Sequence, residues 1–156
     1  NKQTNTAMAI IDKQTRILND LILINNDRVT NYRKAEEELK KEDADLIQLF
    51  QEKVEQSNNF IDELTQKVTE AGHKVESGTT NAGKIYHVWM DVKAFFGGFN
   101  RKIILDNCVV GEDAALSAYN DALSSEGLSP EIRSLLTQHH ADLIVSYNKV
   151  KALKEG

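Results

Sequence analysis

The stretch ADLIQLFQEKVEQSNNFIDELTQKVTEAG (Ala44–Gly72) decides the fold. Leu46, Leu49, Phe50, Val54, Ser57, Phe60, Ile61, Leu64 and Val68 recur at steps of three and four, the spacing of one face of an α-helix. No proline interrupts the run, and Gly72 supplies the left-handed stop that ends many helices. The spacing predicts a helix over about 44–71. Such a helix carries one apolar stripe and must bury it against other elements, so the rest of the chain is read for partners.

Upstream, Ile17, Leu18, Leu21, Ile24, Val29, Tyr32, Ala35 and Leu39 repeat the same spacing and predict a first helix over about 14–40. Lys41 and Glu42 form a short turn, with Asp43 as the expected N-cap of the second helix. So short a turn between two long helices folds them back on each other. Downstream, the pattern is lost from His73 to Gly83, where serine, threonine, asparagine and glycine dominate. A shorter amphipathic segment is expected at about 84–96, with Trp89 packed down as a lid. Gly97 and Gly98 end it. A third helix is expected over about 100–124, with Ile104, Cys108, Gly111, Glu112, Ala115, Tyr119 and Ala122 inward. After Gly127, Ser129 and Pro130 read as an N-cap followed by proline at the first helical position. The fourth helix then runs to about Lys154, with Ile132, Leu135, Leu136, His139, Leu143, Ile144, Tyr147, Val150 and Leu153 inward.

The result is an all-α fold: an antiparallel four-helix bundle with a long crossover between the second and third helices. That connectivity is the ferritin-like one. Residues 1–13 read as an N-terminal extension and 14–156 as a single domain. The 156 residues, 40% apolar and 28% charged, suit one domain with one core. Net charge is −5 with both signs interspersed, which argues against a nucleic-acid partner. No apolar run approaches the ~20 residues that span a bilayer, so no membrane partner is expected. Cys108 is the single cysteine, which fits a reducing compartment; with a poor signal-peptide pattern at the N-terminus, the expected location is cytoplasmic.

Three segments then carry a resemblance: LNDLILINNDRVTNY (18–32), GTTNAGKIYHVW (78–89) and GEDAALSAY (111–119). Over about 17–153 the chain resembles a bacterial family of ferritin-like four-helix-bundle proteins, a domain of unknown function. The resemblance implies the ferritin-like fold and no particular activity.

Bundles of that kind commonly hold two metal ions, with one Glu from each of two helices and Glu-x-x-His from each of the other two. Residues three apart share a helix face, so both reach the same ion pair. Here the second helix has no histidine, and neither His139 nor His140 has a Glu three residues before it. What remains is a polar layer near mid-bundle: Asn25 or Arg28, Ser57, Glu112, and His139 or His140. Two readings follow. Glu112, His139 and His140 are ligands of a reduced iron, manganese or zinc site; or Glu112 pairs with Arg28 in a buried hydrogen-bonded network, with no cofactor. The second satisfies buried charges without a metal.

No phosphate-binding glycine loop, nucleophile elbow or His-Glu-x-x-His occurs. Cys108 reads as an inert core thiol, Tyr32, Tyr119 and Tyr147 as core residues with hydroxyls on the polar layer, and His73 and His87 as loop histidines. The expected function is a non-enzymatic, stress-associated interaction or structural protein, forming a homodimer or binding another protein. The alternative is a divergent metal-binding oxidoreductase or metal-storage protein.

Overall fold

A computed structural model describes residues 2–76 and 100–156. Among them the chain is all helical: α1 (Lys2–Glu37), a single 3-10 turn (Lys41–Asp43), α2 (Ala44–Glu70), α3 (Arg101–Leu123) and α4 (Pro130–Glu155). The expected segment at 84–96, its Trp89 lid, His87 and the GTTNAG loop lie outside the described residues.

The first helix starts about twelve residues earlier than its apolar stripe suggests. Residues 2–13 are helical yet exposed. No proline or glycine stops them, Ala7, Met8 and Ala9 are good helix formers, and the packed part of α1 supplies the nucleus from which helix propagates outward. The helix also ends earlier, at Glu37, where the chain turns to Lys40 in extended conformation. Asp43 makes no side-chain capping bond to α2; its carboxylate instead accepts from the Lys40 N–H at 3.4 Å and from Arg101 at 3.2 Å.

The other ends follow their residues. Gly72 has φ +77°, Gly72 N–H donates to Thr69 O at 2.9 Å and His73 N–H to Val68 O at 3.2 Å, the paired bonds of a Schellman stop. Asn100 and Ser129 each accept from the backbone N–H three residues on, at 3.0 and 3.2 Å, and Pro130 opens α4.

One core runs between the helices, including Leu18, Leu21, Tyr32, Phe50, Leu64, Ile104, Tyr119, Leu136, Leu143 and Val150. α1 lies mainly on α2 and α3 mainly on α4, and α1–α3 and α2–α4 contacts join the two pairs. Along α1 from its C-terminal end, Glu36 meets Gln51, Tyr32 meets Phe50, Arg28 and Asn25 meet Ser57, and Asn19 meets Lys74 and Glu76. In α4 the buried stripe is Ile132, Leu136, His139, Leu143, Ser146 and Val150, a regular alternation of four and three. Ile144, expected inward, is 41% exposed, because it sits one position off that alternation. Tyr147 is half-buried.

Candidate functional site

The apolar stripes are interrupted at one level of the bundle, and all four helices contribute a polar side chain there. Arg28 from α1 lies at the centre with no exposed surface. Its Nε donates to Glu112 Oε1 at 3.1 Å, and Nη2 donates to Oε1 and Oε2 at 3.0 and 3.3 Å. Nη1 donates to Ser57 Oγ on α2 at 2.8 Å, and Nη2 to Ser146 Oγ on α4 at 3.0 Å. The guanidinium fork thus touches α2, α3 and α4, using the planar donor geometry that suits arginine to such a position.

Glu112 is equally buried. Burial raises its pKa. The positive charges of Arg28 and Lys53, and hydrogen bonds from Tyr32 and Arg28, outweigh burial and hold the carboxyl below its usual range. The Tyr32 hydroxyl donates to Glu112 Oε1, and burial together with the Glu112 charge pushes the phenol well above its usual value. Cys108, one turn before Glu112, is buried, and burial and the Glu112 charge push its thiol up. It is an inert thiol, since the thiolate is the reactive form.

Lys53 is a second cation in this layer, 4% exposed, with its ammonium donating to Ser146 Oγ. Burial lowers its pKa to about 8, against the attraction of Glu112 and with the repulsion of Arg28 and Lys149. Two cations, Arg28 and Lys53, are therefore attracted to the Glu112 carboxylate.

From Arg28 a chain of hydrogen bonds runs to the surface. Ser57 Oγ donates to Asn25 Oδ1 at 2.9 Å, and Asn25 Nδ2 donates to the Tyr119 hydroxyl oxygen at 3.0 Å. Tyr119 OH lies 2.9 Å from His139 Nδ1, and His139 Nε2 lies 3.2 Å from Glu63 Oε1. Phe60 stacks on the His139 ring at 3.9 Å between centroids. Burial lowers the His139 pKa against the pull of Glu63 and Asp142.

The layer joins most of the residues expected in it: Asn25, Arg28, Ser57, Glu112 and His139, with Tyr32 and Tyr119 bonded to them. Among the described residues Glu112 and His139 share no hydrogen-bond partner. None of these bonds ends on His140, which is half-buried. Among the described residues no three His, Cys, Asp or Glu side chains gather as a metal-holding group. Both Glu112 oxygens face a fixed guanidinium, so the donor set does not fit a metal pair. Lys53, Ser146 and Glu63 were not anticipated. Their positions carried the signal: Lys53 precedes Ser57 by four on the α2 stripe, Ser146 follows His139 by seven, and Glu63 stands between Phe60 and Leu64. A charged or hydroxyl side chain on a stripe position is easily read as a gap.

A search of curated proteins gives no match. The family profile described as Domain of unknown function (DUF2383) matches residues 13–125, which include every residue of the layer except His139 and Ser146. With well over half of its length matched, the chain belongs to the DUF2383 family.

Proposed function

We propose that the chain is a non-enzymatic, ferritin-like antiparallel four-helix bundle of the bacterial cytoplasm. Residues 1–13 form an extension of the domain, and the protein works by pairing with a second copy or with another protein. The observation that carries this reading is the Arg28 fork: it joins α2, α3 and α4 and occupies both oxygens of Glu112, a carboxylate that a metal-using bundle would turn to its ions. The antiparallel arrangement is supported by the α1–α2 bonds: Glu36 meets Gln51, while Arg28 and Asn25, earlier on α1, meet Ser57, later on α2. Met8, Ile10 and Ile11 on the exposed start of α1, and Val110, Ile144 and Val145 elsewhere, are apolar side chains available to a partner surface.

The test has two arms. Elemental analysis of protein purified without chelator is expected to show no stoichiometric iron, manganese or zinc; a stoichiometric metal overturns the non-enzymatic reading. Sedimentation velocity at micromolar concentration, with pull-down from the source cells, is expected to show a dimer or a saturable partner. A monomer with no partner recovered overturns the interaction reading.

A further inference from the structure

The chain of bonds from Arg28 to Glu63 has only one possible direction. A guanidinium can only donate, and a carboxylate can only accept. Between these fixed ends every group passes one hydrogen outward. Arg28 donates to Ser57, Ser57 to Asn25 Oδ1, and the Asn25 amide to the Tyr119 oxygen. The second Asn25 N–H is already committed to Leu21 O at 2.9 Å. The Tyr119 oxygen therefore accepts from Asn25, and its own hydrogen goes to His139 Nδ1. That leaves His139 neutral, with its hydrogen on Nε2 and aimed at Glu63.

We infer that this one-way relay is an acid-sensitive lock between the α1–α2 pair and the α3–α4 pair, released when His139 takes a second proton. Protonation puts a hydrogen on Nδ1, where Tyr119 already places one. Tyr119 would then accept from both Asn25 and His139 and be left holding a buried hydroxyl hydrogen. It cannot pass that hydrogen back, because Asn25 faces Tyr119 with its amide nitrogen, a donor, and turning the amide over would aim its oxygen at the Leu21 carbonyl oxygen. A buried donor without a partner is costly, so the Asn25–Tyr119 bond joining α1 to α3 gives way.

Charged and titratable groups face the imidazole from several elements. On α2, Glu63 favours the proton, but its side chain is half-exposed and so partly screened by water. On α4, Asp142 favours it at longer range. On α3 stands Tyr119, whose hydroxyl opposes it. On α1, Arg28 is a fixed positive charge further along the chain, beyond Asn25 and Ser57. Phe60 covers the ring face and keeps water from it. Burial and the relay oppose the two carboxylates, and the direction of the His139 shift agrees.

The sign follows. An imidazole held below its ordinary 6.5 contributes its full stability above pH 6.5, and that contribution is lost as pH falls below 6.5 towards the folded value.

Nitrogen-detected NMR of the full chain tests the lock. The expected His139 tautomer at pH 8 is Nε2–H, with a midpoint below 6.5. In Tyr119→Phe the opposing hydroxyl is gone, and the midpoint is expected to rise by about 0.5–1 pH unit. In Glu63→Gln the midpoint is expected to fall while the tautomer persists. Amide protection in α4, corrected for intrinsic exchange, is expected to drop at least about tenfold from pH 7.5 to pH 5, one decade in the opening equilibrium. An Nδ1–H tautomer, a midpoint at or above 6.5, an unmoved midpoint in Tyr119→Phe or unchanged α4 protection would each overturn the proposal. The tautomer and midpoint are read on the unaltered protein, so neither depends on a variant that folds.

Discussion

Arg28 of α1 and Glu112 of α3, 84 residues apart in the chain, form an ion pair with no exposed surface on either side chain. The attraction offsets the desolvation of both groups only because the remaining hydrogens and lone pairs are also used, by Ser57, Ser146 and Tyr32. Such a pair holds α1 and α3 in one register, since a shift of either helix by one residue breaks three bonds at once.

Removing one member should be severe and the two removals unequal. Glu112→Gln removes the carboxylate that Arg28 is bonded to and that attracts Lys53, and the expected loss is about 3–5 kcal/mol. Arg28→Met leaves Glu112 with Lys53 still attracting it and Tyr32 still bonded, so the loss should be smaller. The double variant Arg28→Met/Glu112→Gln should lose less than the two single variants together, because Arg28 no longer stands as a buried cation without Glu112. Urea unfolding of the three variants measures this as a double-mutant cycle. Additive losses would show that the pair is not the source of the effect.

The second cation gives an alkaline signature. Lys53 has a folded pKa of about 8 against the ordinary 10.5, so between those values the unfolded chain binds the extra proton. Lys53 by itself should therefore add stability as pH rises from about 8 to 10.5, by about 3 kcal/mol at most. Above about 9 the raised thiol of Cys108 and phenols of Tyr32 and Tyr119 act the other way, so the Lys53 part is read as the difference between wild type and Lys53→Met. Lys53→Met should remove that contribution and stabilise the fold near pH 7, where the wild type holds a buried charged ammonium. Urea midpoints of both proteins from pH 7 to 10 read the effect. A wild-type curve that does not rise relative to that of Lys53→Met between pH 8 and 10 would mean that Lys53 stays charged at no penalty.

At the end of α2 the backbone alone decides. Gly72 has φ +77°, and an added Cβ would meet nothing within 4 Å. Gly72→Ala should cost about 1–2 kcal/mol through the left-handed backbone only, and Gly72→Asn less, because asparagine tolerates that region. Thermal unfolding of the pair separates strain from packing: equal losses for Ala and Asn would point to a steric contact instead.

Much of this was legible from the residues. The stop at Gly72, the cap at Ser129 with Pro130, and the pairing of Glu112 with Arg28 all come from local rules or from charge balance on a stripe. The start of α1 was not legible, because residues 2–13 are helical without burying a face, and periodicity registers only a buried face. Lys53 was passed over for the opposite reason: it is buried at a stripe position but carries a charge. Glu63 was hidden because its role depends on His139, 76 residues away, which only the packing of α2 against α4 brings near.

Tyr32 offers the last prediction. Its hydroxyl donates to Glu112, and its ring lies 5.1 Å from that of Phe50 between centroids. Tyr32→Phe keeps the ring contact and removes one bond to a charged acceptor, for which about 1.5–3 kcal/mol is expected. The Glu112 carboxylate also loses one of the groups holding its pKa down, so its folded pKa should rise towards the ordinary 4.5. A carboxyl held below its ordinary value contributes stability above that value and loses it as pH falls towards the folded value. The variant should therefore depend less on pH below 4.5 than the wild type, while being weaker at pH 7. Urea unfolding at pH 7 and pH 3.5 distinguishes this from a packing defect, which would lower both values equally.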